Sequence, residues 1–260
     1  MQDAMTESGM RAADLELRGI TKRFGHLTAL AGVDLAAYAG QVLAVLGDNG
    51  AGKSTLIKII SGVYHQDDGE IRIAGDHVVF RSPADSRRAG VATVFQDLAL
   101  VEVLDVATNM FLGQFPRRGW FIDRKVMDTQ SRAFLEEHKV TVASVKTEIG
   151  MLSGGQRQIV AIARAMRTGA GIVLLDEPTA ALGVRETAHA TTLIRELRDR
   201  GTTVICVSHD MNFVFDVADR VQVMRLGRVA GVRDVTATTK DEVVGLITGS
   251  VSDQPVEEMP

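Results

Sequence analysis

The chain has 260 residues, 45% of them hydrophobic, and a formal net charge of −4. This composition is typical of a folded globular protein, and its scattered Lys and Arg residues argue against nucleic acid as a partner. We expect no membrane-spanning helix, because no apolar run approaches the roughly 18 residues that one needs. The single cysteine, Cys206, lies in the apolar run TTVICVSH, which predicts a buried thiol in a reducing compartment.

The first third of the chain is predicted to combine antiparallel strands with one strand–loop–helix unit. The stretches LELRGITKRF and GVDLAAYAGQVLAVLG alternate apolar and polar residues and end in an apolar run, which indicates strands that lead to Gly47. A helix should follow from Lys53 to Ser61. The stretch GEIRIAGDHVVF, residues 69–80, is typical of a hairpin.

The middle of the chain changes to a helical period. Within residues 100–111 the apolar positions recur at spacings of three and four, at Leu100, Val103, Leu104, Ala107, Met110 and Phe111. We therefore expect a helical insert that begins here and continues to about Gly150, with a loop at GQFPRRGW.

The last third is predicted to contain buried parallel strands. GIVLLDEP and TTVICVSH are short apolar runs separated by a charged segment, residues 185–200, that suits a crossover helix. We expect flexible ends over residues 1–13 and 250–260, the latter rich in acidic residues and proline.

A glycine-rich stretch follows the predicted strand that ends near residue 46. It matches the phosphate-loop pattern G-x-x-x-x-G-K-[ST] through Gly47, Asp48, Asn49, Gly50, Ala51, Gly52, Lys53, Ser54 and Thr55. Glycines let backbone N–H groups turn toward a phosphate, Lys53 can reach the terminal phosphates, and Ser54 can ligate Mg²⁺. The alternative is a chance glycine turn, which the strand–helix context disfavours.

Two acids end the predicted strand GIVLLD, namely Asp176 and Glu177. A carboxylate at this end of a buried parallel strand lies beside the loop of the neighbouring strand–loop–helix unit. Asp176 is predicted to hold Mg²⁺, and Glu177 to polarise a water that attacks the γ-phosphate. An acidic pair before proline can also be a solvated helix start.

Two further polar residues follow predicted strands, Gln96 in TVFQD and His209 in CVSHD. Ligands bind at the carboxyl ends of strands in open α/β sheets, so His209 can reach a γ-phosphate and Gln96 can touch Mg²⁺ or the attacking water. Either side chain can equally be a satisfied hydrogen-bonding group without a role in chemistry.

The stretch LSGGQ contains a second helix start that suits an anion. Ser153 followed by Gln156 is a capping-box pattern, so a helix should begin at Ser153 with the free N–H groups of Gly154 and Gly155 exposed. By itself this pattern indicates only a well-capped helix.

The combination of the phosphate loop, LSGGQ, LLDEP, Gln96 and His209 resembles the ATP-binding cassette of ABC transporters. The resemblance implies an α/β fold of the P-loop NTPase type: a RecA-like mixed sheet core with an antiparallel β subdomain and a helical subdomain. It implies a single ATP-binding domain over residues 14–249, with the helical subdomain over about residues 97–165.

The resemblance also implies cofactors and roles. Two copies would dimerise head to tail, so that Ser153, Gly154 and Gly155 bind the γ-phosphate of ATP held with Mg²⁺ by the partner. Phe24 would stack on adenine, Gln96 would link the site to a membrane subunit, and His209 would be the switch histidine. This chain has Gly183 where cassettes usually carry an aspartate that couples the two sites.

Within the family, the chain is most similar to single-cassette import ATPases of the fructose type. That resemblance implies an ATP hydrolase that drives monosaccharide uptake through a membrane permease and, indirectly, a periplasmic sugar-binding protein, at the cytoplasmic face of the bacterial inner membrane. The apolar face at 100–111 is then either a groove for the permease or part of the core of the insert. The alternatives are a soluble cassette ATPase without a transport role and a plain P-loop kinase or GTPase.

Overall fold

The computed structural model describes residues 13–180 and 182–251. Most of the two ends expected to be flexible, residues 1–12 and 252–260, lies outside the described residues, as does residue 181. No helix in the described ranges combines the length and the apolar character that crossing a bilayer requires.

An antiparallel sheet forms from the N-terminal part of the chain, in the spatial order β2-β1-β4-β5. Its strands are β1 (Leu15–Phe24), β2 (Leu27–Ala37), β4 (Asp68–Ile73) and β5 (Asp76–Val78). The predicted hairpin at 69–80 is confirmed, because β4 and β5 pair antiparallel with Ile73 opposite Asp76.

A mixed sheet carries the rest of the core, in the order β12-β11-β3-β10-β9-β6. All neighbours in it are parallel except β11 and β12. Its strands are β3 (Val42–Leu46), β6 (Val91–Val94), β9 (Ile172–Asp176), β10 (Thr203–Val207), β11 (Arg220–Arg225) and β12 (Arg228–Asp234). Because β3, β6, β9 and β10 are parallel, their carboxyl ends share one edge of the sheet, where ligands bind in such folds.

Helices cover both faces of the mixed sheet. They are α1 (Lys53–Ile60), α2 (Pro83–Arg88), α3 (Val106–Met110), α4 (Arg124–Glu137), α5 (Gly154–Arg167), α6 (Val184–Asp199), α7 (Met211–Val217) and α8 (Lys240–Thr248). The predicted crossover helix between β9 and β10 is confirmed as α6, and the helix after the phosphate loop as α1.

The side chains of β3 alternate between two hydrophobic cores, as the period of a strand dictates. Val42, Ala44 and Leu46 pack in the core that contains the buried faces of α5 and α6. Leu43 and Val45 pack in the other core, with α1 and the antiparallel sheet. The mixed sheet is therefore buried on both faces, which explains the continuous apolar runs in its sequence.

The helical face predicted over 100–111 is wrong for its first half. The helix is α3 alone, because Asp105 caps it by accepting a hydrogen bond from the backbone N–H of Thr108 at 2.8 Å. The buried Asn109 side chain fixes the preceding loop in a non-helical conformation, because its Oδ1 accepts from the N–H of Val101 and its Nδ2 donates to the C=O of Val101. Val103 is consequently 77% exposed, whereas Met110 belongs to the core.

The loop predicted at GQFPRRGW contains a hairpin that the sequence pattern did not reveal. Its strands are β7 (Arg117–Arg118) and β8 (Phe121–Ile122), which pair antiparallel and precede α4. Two residues per strand are too few for an alternating pattern to be visible in the sequence.

Candidate functional site

The phosphate loop joins β3 to α1 and depends on glycine at two positions. Gly47 has φ 148° and Gly52 has φ 103°. A Cβ at Gly47 would lie 2.2 Å from the carbonyl oxygen of Met224, and one at Gly52 would lie 2.7 Å from that of Ala29. The loop is open to solvent: Asp48, Asn49, Gly50 and Ser54 are exposed, Thr55 is half-buried and Ala51 is buried.

Lys53 lies over this loop. Its ammonium donates hydrogen bonds to the carbonyl oxygens of Gly47 at 2.7 Å and Asp48 at 2.9 Å. Burial lowers the pKa of Lys53, and the negative charges of Glu177, Asp48 and Asp176 oppose this change. The ammonium and the strand-end carboxylates therefore act on one another, which brings the two predicted motifs into one site.

Asp176 ends β9 as a buried carboxylate. The sequence suggested that β9 is the direct neighbour of β3, the strand that leads into the phosphate loop. In the structure, β10 lies between them. Burial raises the pKa of Asp176, and the charge of Glu177 raises it further. The positive charges of Lys58 and Lys53 lower it and partly offset the rise.

Glu177 contacts His209 at this edge of the sheet. Oε1 of Glu177 lies 3.0 Å from Nδ1 of His209, and the backbone N–H of Glu177 donates to the carbonyl oxygen of Val207 at 2.9 Å. Glu177 has φ 53°, a left-handed conformation that costs about 1–2 kcal/mol for a residue other than glycine. The carboxylate is mostly buried, while the imidazole is open to solvent.

Gln96 lies just beyond β6, exposed in a turn over residues 96–99. Leu98 and Ala99 in this turn both have positive φ, 61° and 46°. The guanidinium of Arg164 in α5 donates to their carbonyl oxygens at 2.8 Å and 2.7 Å. Sequence reasoning missed Arg164, because an arginine in a helix gives no sign of a partner 65 residues away.

The predicted helix start at LSGGQ is confirmed. Ser153 Oγ accepts from the N–H of Gln156 at 3.2 Å, and Gln156 Oε1 accepts from the N–H of Ser153 at 3.1 Å. Gly154 is exposed, and a Cβ there would meet nothing within 4 Å. The N-terminus of α5 is therefore open to an anion approaching from solvent.

Glu186, in the first turn of α6, fills the space beside two glycines. A Cβ at Gly155 would lie 2.6 Å from Cγ of Glu186, and one at Gly183 would lie 2.8 Å from its Oε2. Gly183 is the N-cap residue of α6 and provides no side-chain hydrogen bond. The side chain of Glu186 therefore packs against both the start of α5 and the segment that contains Gly183.

Phe24 ends β1 and is 42% exposed. Its ring packs edge to face on Tyr64, with centroids 5.3 Å apart, and Lys22 Nζ lies 5.5 Å from its centroid. Part of the ring surface remains available to a planar ligand, although the contact with Tyr64 also suits simple packing.

Comparison with known proteins connects these features to a family. The model of the family described as ABC transporter matches residues 30–180. The chain is 46% identical to the fructose import ATP-binding protein FrcA of Rhizobium meliloti, over 91% of this chain and 94% of that protein. It is 42% identical to a ribose import ATP-binding protein of Rubrobacter xylanophilus, over 92% of this chain but only 48% of that longer protein.

Solved structures agree with this likeness. A nucleotide-free ATP-binding cassette from an ABC transporter is similar with a TM-score of 0.77 and 25% identity, over 91% of this chain and 95% of that one. A dimeric, post-hydrolysis cassette bound to ADP and phosphate is similar with a TM-score of 0.75 and 26% identity, over 85% of this chain and 98% of that one. With its phosphate loop, strand-end acids and capped LSGGQ helix, this chain belongs to the ABC transporter family and has the fold of its ATP-binding cassettes.

Proposed function

We propose that this chain is the ATP-hydrolysing subunit of an importer for a monosaccharide. The observation that carries the proposal is that the phosphate loop and the strand-end acids form one site, in which the negative charges of Glu177 and Asp176 act on Lys53 and Glu177 is paired with His209. We further propose one ATP-binding domain over residues 14–249, with a helical subdomain over about residues 97–165.

The phosphate loop is the proposed seat of the nucleotide. Backbone N–H groups of residues 47–55 and the Lys53 ammonium would bind the β- and γ-phosphates. Ser54, Asp176 and Gln96 offer hydroxyl, carboxylate and amide oxygens, the hard ligands that Mg²⁺ prefers. When bound, Mg²⁺ would neutralise charge on the phosphates.

Glu177 is the proposed base. Its carboxylate would accept a hydrogen bond from the attacking water, and its pairing with His209 would hold the side chain in place. The imidazole of His209 is open to solvent, so it can turn toward a γ-phosphate.

The N-terminus of α5 is the proposed half of a second, shared site. Ser153, Gly154, Gly155 and Gln156 would contact the ATP of a partner copy in a head-to-tail dimer. The dimeric cassette described above supports the association of two copies. Phe24 would stack on the adenine of the nucleotide held by its own chain.

Transport of a sugar is proposed from the relatives. The ATP-binding proteins named above are import proteins for fructose and ribose, and a third relative, from Sulfolobus acidocaldarius, imports xylose or arabinose and is 40% identical over 90% of this chain. These relatives favour a transport role over a cassette ATPase that works without a permease. The chain would then act at the cytoplasmic face of the inner membrane, bound to a permease that receives sugar from a periplasmic binding protein.

Glu177→Gln tests the catalytic assignment. The variant should bind ATP and form an ATP-stabilised dimer on gel filtration, with turnover reduced by about 10²-fold or more, the usual contribution of a general base. Glu136→Gln, the same change at an exposed residue of α4, should hydrolyse ATP normally. Normal turnover by Glu177→Gln would refute the role of this carboxylate.

The transport assignment needs a different measurement. Tagged protein recovered from gently solubilised membranes should bring a polytopic permease with it. In a reconstituted complex, one monosaccharide together with its binding protein should stimulate ATP hydrolysis. Recovery of soluble proteins alone would contradict the importer and favour the non-transport alternative.

A further inference from the structure

The hairpin between α3 and α4, residues 117–122, exposes large apolar side chains. Trp120 is 94% exposed, Phe121 80% and Ile122 52%. Gly119 has φ 64° and lets the chain reverse between β7 and β8. Trp120 therefore sits in the turn itself, where it has no neighbouring strand to pack on.

Single large apolar side chains are exposed elsewhere, such as Val184 at 89%, but among the described residues only this hairpin exposes three in succession, which indicates an interaction site. Trp120 is the only tryptophan, and Trp and Phe each bury about 150–250 Å² when they pack. Contiguous exposed apolar side chains mark surfaces that meet another molecule.

Unpaired positive charge lies in the hairpin and shortly after it in the chain. Among the residues that the structure describes, no hydrogen bond or ion pair holds the side chains of Arg117, Arg118 or Lys125. By contrast, the guanidinium of Arg124 is held by Asp105 and Thr108. The chain as a whole is negative, with a formal net charge of −4, so this cationic cluster is a local feature.

The hairpin has no face that is purely apolar. Arg118 lies opposite Phe121, and Arg117 lies opposite Ile122. Directly opposed residues of an antiparallel pair share a face, so each face presents one arginine and one apolar side chain. A protein groove would cover one face, whereas a lipid surface surrounds the hairpin on all sides and accepts both kinds of side chain.

We propose that this hairpin binds the surface of a bilayer that contains anionic phospholipids, with Trp120 and Phe121 inserted at the level of the headgroups. Tryptophan is favoured at membrane–water interfaces because its ring is amphipathic. Arg117 and Arg118 can extend their aliphatic stems along the apolar region while their charges meet lipid phosphates. The inference goes beyond the proposed transport function and requires neither ATP nor a permease.

The fluorescence of Trp120 reports on this surface directly, because the chain has no other tryptophan. Full-length protein is titrated with vesicles of phosphatidylcholine alone and with vesicles that also contain phosphatidylglycerol. We expect a blue shift of the emission and quenching by brominated lipids with the anionic vesicles, both weakened by salt.

The double variant Arg117→Gln/Arg118→Gln keeps the fluorophore. It should bind the anionic vesicles about 25-fold more weakly, since each arginine near such a surface contributes about fivefold. The control is Arg87→Gln/Arg88→Gln, an adjacent exposed pair at the end of α2 in which Arg88 is ion-paired with Asp85. It removes the same charge elsewhere on the surface and should bind as the unaltered protein does. Circular dichroism checks that both variants are folded.

Three results would overturn the proposal. The first is an emission spectrum that neither kind of vesicle shifts, and the second is equal binding by the Arg117→Gln/Arg118→Gln variant. The third is a shift that occurs only when the vesicles carry the permease, which would make this surface a protein contact. Both readouts are independent of ATP hydrolysis, so they also separate this inference from the proposed function.

Discussion

Replacing Arg164 by methionine should release the turn that carries Gln96. Methionine keeps most of the aliphatic stem in place but removes the donors to the carbonyl oxygens of Leu98 and Ala99, at 2.8 Å and 2.7 Å. A hydrogen bond from a charged donor contributes about 1.5–3 kcal/mol. Because Ala99 is exposed and water can replace the lost donor, we take the lower value, or about 3 kcal/mol for the pair.

Backbone strain in the turn works against the hydrogen bonds that Arg164 donates to it. Leu98 and Ala99 have φ 61° and 46°, and each left-handed residue costs about 1–2 kcal/mol. Without Arg164, nothing offsets the backbone strain of Leu98 and Ala99, which totals about 2 kcal/mol at the lower value. Only about 3% of the molecules would then keep the present conformation of this turn. ATP turnover should then fall about thirtyfold, with little change in ATP affinity, because the phosphate loop belongs to another segment.

The assay combines ATP turnover with amide hydrogen exchange over residues 96–100, which should accelerate. The control is Arg167→Met, one turn further along α5, where the lost donor bonds to the carbonyl oxygen of Met110 at 2.8 Å. That variant should have a lower Tm but unchanged exchange in residues 96–100. An Arg164→Met protein with normal turnover and normal exchange would show that the turn does not depend on this guanidinium.

Further predictions concern the phosphate loop and two buried groups. Gly47→Ala should lower the free energy of unfolding by about 3 kcal/mol or more, because its Cβ would lie 2.2 Å from the Met224 carbonyl oxygen; Gly50→Ala, with open space, should cost about 1–2 kcal/mol by chemical denaturation. Burial raises the pKa of Asp176 in the folded protein, so ionisation of this carboxyl destabilises the fold as the pH rises above the unfolded value of 3.8. Without nucleotide, the Asp176→Asn variant should therefore have a higher Tm than the unaltered protein near neutral pH, and this difference should shrink toward about pH 4. An equal Tm for the two proteins near neutral pH would contradict this. Burial raises the pKa of the Cys206 thiol to about 12, so it should react with a disulfide reagent only in denaturant, and reaction of the native protein would disprove this.

Local patterns predicted their own structure well. The capping box of Ser153 and Gln156 involves atoms three residues apart, and the phosphate loop follows a strand whose apolar run is uninterrupted. The hydrogen bonds that decide the capping box lie within the motif, and the glycines with positive φ that the phosphate loop needs are part of its pattern. Such features are recoverable from sequence because no distant residue competes with them.

The errors arose where a distant residue or a very short element decides the structure. Asn109 holds the loop before α3 through side-chain bonds to Val101, so a periodic apolar pattern did not become a longer helix. Glu177 and His209 are 32 positions apart in the chain. Their positions after predicted strands indicated that both lie at one edge of the sheet, but not that they contact each other. Arg164 was missed for the same reason, since it lies in α5 while the carbonyl oxygens it bonds to lie in the turn after β6.

The packing of Glu186 against two glycines has a genetic consequence. Gly155→Ala would collide with Cγ of this side chain, whereas Gly183→Ala would meet only its carboxylate end, which can move away. Gly155→Ala should therefore be the more destabilising of the two, and Glu186→Ala, which removes Cγ, should relieve it. A search for second-site revertants of the Gly155→Ala variant should therefore return changes at position 186. The side chain at position 186 thus limits what position 155 can accept, and it limits position 183 much less.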